Sequence, residues 1–126
     1  MESISNLPPI GIITIAHEQQ RYDTLGDYIE RDGGVQIRIS QTGSLISDAA
    51  LEIHEFTEAL WCLINGVSFK QVDEWDFAHP GMDAGLLPGC PYGPGHKLAL
   101  QAEYNFLIAN GVMPMTHEEH LSRIQP

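Results

Sequence analysis

Residues 47–66, "SDAALEIHEFTEALWCLING", decide how this chain is read. Ile53, Phe56, Leu60, Leu63 and Ile64 fall on one stripe at helical spacing, behind a Ser47-Asp48 cap candidate. Asn65-Gly66 then ends the run as a left-handed C-terminal residue would. The expectation is an α-helix. Ala59 to Ile64 are apolar nearly all round, so the helix should be largely buried. Yet His54, Glu55 and Glu58 sit in its middle turns, and carboxylates are rarely buried unless paired or bound to a metal.

Upstream of this segment the periodicity is that of strands. "IGIITIAH", residues 10–17, is short and β-branched, and "VQIRIS", residues 35–40, alternates Val35, Ile37 and Ile39 with Gln36, Arg38 and Ser40. Asp32-Gly33-Gly34 between two extended runs is a hairpin signal. These features predict a small antiparallel sheet of two to three strands. Downstream, Ser68 with Gln71 forms a capping box for a second helix that runs to about Ala78 and is closed by Pro80. Residues 80–95, "PGMDAGLLPGCPYGPG", read as irregular structure, and a third helix should run from His96 to Asn110-Gly111. Thr116 with Glu119 is a further capping box, for a short terminal helix. The fold class expected is therefore α+β, with an N-terminal sheet followed by three to four helices. At 126 residues the chain reads as one domain, β-rich over 1–45 and helical over 46–126.

Composition narrows the partners. Seventeen Asp+Glu against six Lys+Arg leave a formal charge of −11, which repels a phosphate backbone and favours a cation. No nucleic-acid partner is expected. Cys62 and Cys90 could make only one bridge, no basic leader opens the chain, and no run reaches the ~20 apolar residues of a membrane span. A cytoplasmic protein with no membrane partner is the expectation.

His54 and Glu58 are four residues apart, hence stacked one turn above the other on one helix face. Glu55 is turned by roughly a quarter turn from His54. Two ligands at this spacing beside a carboxylate follow the logic of a zinc-peptidase helix, in which the adjacent glutamate accepts a proton from water. Glu58 as a ligand keeps Zn²⁺ feasible and opens the site to Mn or Fe. A third ligand must come from elsewhere, and His96, directly after the glycine-rich loop, is the best candidate. Glu103, seven residues on and on the same face, is either a fourth ligand or a group that orients a histidine. The expected set is one divalent ion on His54, Glu58 and His96, with Glu55 as base. His117 and His120 read as a solvated tail, His79 as a helix end, His17 as a strand end, and Cys62 as a core thiol. No phosphate loop, dinucleotide fingerprint or Ser-His-Asp arrangement is visible.

The succession "GGVQIRIS", "ALEIHEFTEALWC", "GVSFKQVDEWD" and "PYGPGHKLALQAE" resembles a group of small phage and prophage-encoded zincin-like proteins, over roughly residues 17–103. Their pattern is a His-Glu-x-x-Glu-Ala helix, then a Pro-Tyr segment leading to a histidine and a glutamate. The resemblance implies a minimal zincin-like fold, metal on His54, Glu58 and His96, Glu55 as base and Glu103 close by. Gly93 stands where similar members tend to carry a further histidine.

Three functions compete. The first is a metal-dependent hydrolase, a minimal peptidase acting on a peptide or protein. The second is a Mg²⁺-dependent nucleotide pyrophosphohydrolase using Glu55, Glu58, Asp73 and Asp76. The third is a non-catalytic phage structural or interaction module in which the cluster pins two helices. Substrate and oligomeric state are not legible in the sequence.

Overall fold

The computed structural model describes residues 6–112. In chain order they form strand β1 (Ile10–Ile15), strand β2 (Gly26–Arg31), strand β3 (Gly34–Ser40), and helices α1 (Leu45–Asn65), α2 (Phe69–Ala78) and α3 (Gly93–Ala109). Short 3₁₀ turns occupy His17–Gln19 and Ala84–Leu86. The class is α+β, a sheet in the N-terminal part followed by three helices. The segment holding Thr116, His117, Glu119 and His120 lies outside the described residues.

β2 and β3 form the expected hairpin, with Arg31 opposite Gly34 and a two-residue turn in which Asp32 and Gly33 both take positive φ (53° and 76°). This is the turn whose twist matches that of the flanking strands. The expectation of a wholly antiparallel sheet needs correction. The order is β1-β3-β2, and β1 runs parallel to β3, from Ile10 opposite Val35 to Ile15 opposite Ser40. The chain leaves β1 through residues 16–25 and lays β2 one strand-width away, and the hairpin returns β3 into that gap. Two backbone bonds fasten the ends of the pair, Val35 N–H to Pro9 C=O at 2.8 Å and Gln41 N–H to Ile15 C=O at 2.8 Å.

The alternation of β3 buries Val35, Ile37 and Ile39, which join Leu51 of α1 and Phe69 and Val72 of α2 in the core. Each fully buried side chain of this size contributes about 1.5–3 kcal/mol. α1 starts earlier than expected, because Ser44 and not Ser47 is its cap, its side chain accepting from Ser47 N–H. It ends on Gly66 in the left-handed region, as expected. The Ser68–Gln71 box opens α2. α3 begins at Gly93, three residues before His96, with a proline in its first turn where the missing N–H costs nothing. No helix among the described residues is long and apolar enough to cross a membrane.

Candidate metal centre

The innermost face of α1 is not the apolar stripe drawn through Ile53 and Ile64. The buried positions are Ala50 and Leu51, then His54, Glu55 and Glu58, then Ala59 and Cys62, whereas Ile64 is 77% exposed. The helix is rotated so that its titratable residues point inward.

There they meet α3 and the hairpin. His54 Nδ1 lies 2.8 Å from Glu103 Oε1, and His96 Nδ1 lies 2.8 Å from Glu58 Oε2. His54 Nε2 is 3.3 Å from that same Glu58 oxygen and 3.6 Å from Glu55 Oε2. Both imidazoles thus converge on one carboxylate, with the second glutamate alongside. Tyr28 of β2 donates its hydroxyl to the other Glu58 oxygen at 2.7 Å. Glu55 faces β2 at Gly26, where a Cβ would come within 2.3 Å of the Glu55 side chain, so only glycine lets the strand backbone lie this close.

One ligand atom each from His54, Glu58 and His96 lies within 4.8 Å of the others, so this group could hold a metal ion. Two histidines and a glutamate are the donor set of zinc sites that keep a further position open. Each ring also has an outer carboxylate: Glu103 on His54 and Asp83, whose Oδ1 is 3.1 Å from His96 Nε2. Such partners fix the tautomer and tilt of metal-ligating histidines.

Electrostatics separate the two glutamates. Burial would raise both carboxyls. Glu58 is nonetheless held far below the usual range by hydrogen bonds from His54 and His96, while Glu55 is pushed up to about 8. Burial also opposes charge on the histidines, but Glu103 and Glu58 raise His54, and Asp83 and Glu58 raise His96 to about 9. The centre opens into a cavity of about 420 Å³, and among the described residues no lysine or arginine lines it.

All five residues singled out in the sequence, His54, Glu55, Glu58, His96 and Glu103, are buried and adjoin one another. Asp83, Tyr28 and Gly26 were not anticipated. A tyrosine in β2 and an acid in the glycine-rich loop carry no local signature, since what matters is which side chain each meets across the fold. Other expectations hold: Cys62 is a buried thiol raised to about 12 by burial, and His79 caps α2 with its Nδ1 2.7 Å from Trp75 C=O. Asp73 pairs with Arg21, and Asp76 accepts from Tyr22 and Tyr92.

A Ser-His-Asp set does occur, contrary to expectation, with Ser40 Oγ and Asp23 Oδ1 at 2.9 and 2.8 Å from the two His17 nitrogens. It is no nucleophile site. Ser40 is fully buried and its hydroxyl is further engaged by Thr24 C=O and Gln20 Nε2, so the network ties strand ends together. The chain matches no family model, no curated protein and no solved structure, so its function must be argued from the chemistry of the centre itself.

Proposed function

We propose that the protein is a metal-dependent hydrolase of the minimal zinc-peptidase kind, acting on a peptide or protein. The observation that carries this is the convergence of His54 and His96 on Glu58, with Glu55 beside them at the head of a cavity. A divalent ion held there, Zn with Mn or Fe as alternatives, supplies Lewis acidity and lowers the pKa of water toward ~7. Glu55 takes the proton of the attacking water and returns it to the leaving amine. Its carboxyl stands at about 8, raised by burial against the lowering by His54, which is near the operating pH that suits a general base. Glu103 and Asp83 hold the two imidazoles in orientation.

β2 is an edge strand and its Gly26, Asp27 and Tyr28 line the cavity, so an extended peptide can add to the sheet beside the centre. The absence of basic lining residues among those described favours peptide over nucleotide phosphate, and the sheet and two imidazoles disfavour an all-helical pyrophosphohydrolase. The reading includes a phage origin and a place in the host cytoplasm. One observation favours the non-catalytic alternative: the centre joins α1 to α3 through residues at most 5% exposed, as a structural pin would.

Elemental analysis of tag-free protein tests the first step, with stoichiometric Zn, Mn or Fe expected and none sinking the reading. Glu55→Gln should keep the ion while hydrolysis of a fluorogenic unfolded protein disappears. Surviving hydrolysis would remove Glu55 as base. An ion in a wild type without hydrolytic activity would establish the structural pin instead.

A further inference from the structure

The segment between α2 and α3, residues 79–92, supplies one wall of the cavity through His79 to Gly85 and Tyr92. It is seated on the centre. Trp75 Nε1–H donates to Ala84 C=O at 2.8 Å, and Ala84 and Gly85 are buried. Gly85 lies flat against the His96 imidazole, where a Cβ would stand 2.4 Å from the ring. From this turn Asp83 reaches His96 Nε2 at 3.1 Å, while the opposite ring nitrogen faces Glu58. The relation parallels that of Glu103 to His54, although Glu103 hydrogen-bonds Nδ1 and Asp83 stands at ion-pair distance from Nε2. Glu103 is fully buried inside α3, whereas the Asp83 side chain is 30% exposed on a connecting segment.

We infer that Asp83 is a positioning residue for His96, and that ion binding and the seating of residues 81–86 on the centre are thus one linked equilibrium. The inference rests on the metal reading above. A ligating imidazole must present one nitrogen to the ion, and an acceptor at the other nitrogen selects that tautomer and fixes the ring. Here the acceptor travels with the segment. Unseating it removes both the Asp83 contact and the Gly85 backbone wall, and His96 loses its orientation. By reciprocity, whatever factor the seated segment adds to ion affinity, the ion adds to the population of the seated segment.

The test uses the full chain and Zn²⁺ alone. Competition against a chromophoric chelator should show Asp83→Asn binding Zn²⁺ some 10–100-fold more weakly than wild type. Asp83→Glu, which keeps the carboxylate, should recover part of that loss. In hydrogen exchange, Zn²⁺ should slow the amides of residues 81–86 in wild type, and the slowing should vanish in Asp83→Asn. A purely structural Asp83 would change folding without touching this metal-dependent difference. Equal Zn²⁺ affinity in wild type and Asp83→Asn overturns the inference, as do wild-type amides indifferent to Zn²⁺. Wild type that takes up no Zn²⁺ fails the metal reading itself, whereas normal uptake with an unaltered Asp83→Asn removes Asp83 alone. If Asp83→Asn does not fold by circular dichroism, the Asp83→Glu affinity and the wild-type exchange difference decide.

Discussion

Toward the sheet, α1 contributes Leu51 to a layer made with Ile37 and Ile39; toward α3 it sets His54 and Glu58 against His96 and Glu103. Both layers are almost wholly inaccessible: Ile37, Ile39 and Leu51 are 0% exposed, Glu103 0% and His54 1%. Burial is therefore equal and chemistry opposite. In the first layer removal from water is itself the stabilising term, roughly 25 cal/mol per Å². In the second, desolvation of each charge is set against its hydrogen bonds, and such clusters are on balance neutral or unfavourable beside an apolar layer of the same volume. A chain selected for stability alone would carry apolar side chains at 54, 58, 96 and 103. On the proposed reading, the histidines and glutamates stand there to hold an ion.

The largest effect expected from this contrast is on rate. Glu55→Gln should lower hydrolysis about 10²–10⁴-fold, which is about 3–5 kcal/mol in the barrier, with Tm unchanged or higher in calorimetry. Next come the packing variants. Ile39→Ala should cost about 2–5 kcal/mol in urea unfolding, transfer and cavity terms together. Glu103→Ala should cost about 3–5 kcal/mol in the metal-free chain, because it strands His54 in the interior. Replacing both partners at once, His54→Leu with Glu103→Leu, should be near neutral or stabilising while abolishing metal uptake. A double variant as damaged as Ile39→Ala would show that the polar layer serves stability, and the contrast would collapse.

A smaller effect separates the layers by pH. His96 rises from 6.5 to about 9, so its contribution is complete below 6.5 and is lost as pH climbs through 9. Glu55 rises from 4.5 to about 8, so between those values the folded chain keeps a proton that the unfolded chain has released, and stability again falls with rising pH. Glu58 has the opposite sign: its depressed folded value gives stability that is present above 4.5 and lost as pH drops further. Metal-free protein should therefore be most stable near pH 4.5, where the Glu58 gain is complete and the Glu55 loss begins, and lose Tm toward pH 9. Metal requires deprotonated ligands, so the Tm gained on adding Zn²⁺ should grow over the same interval. Scanning fluorimetry with and without chelator checks both, and a Zn²⁺ gain that shrinks with pH would count against His96 as a ligand.

The sequence made the local structure legible because local chemistry specifies it: β3 alternates, Asp32-Gly33 accepts positive φ, and Ser68 with Gln71 closes a reciprocal cap. The direction of β1 was not legible, since parallel or antiparallel pairing depends on where residues 16–25 carry the chain. The five residues of the centre were legible through spacing and through the improbability of unpaired buried carboxylates. Asp83 was not, because a connecting segment has no periodicity to reveal what it faces. The rotation of α1 was misleading for a physical reason. Hydrophobic periodicity finds the most apolar stripe, and here the most enclosed stripe is instead the one carrying His54, Glu55 and Glu58.

That rotation yields the smallest effect and a direct check on the contrast. Ile64 belongs to the apolar stripe of the sequence yet is 77% exposed, in the last turn of α1, which carries no basic residue. Ile64→Lys should thus remove almost no buried area, and surface changes of this kind stay within about ±0.5 kcal/mol. The new ammonium would face the helix C-terminus, where a cation gains about 0.3–1 kcal/mol, in a chain of formal charge −11. The expected outcome in urea unfolding is a slight gain. A loss above about 2 kcal/mol would mean that Ile64 is buried. α1 would then present its apolar stripe inward and its glutamates to water, and there would be no polar layer to compare.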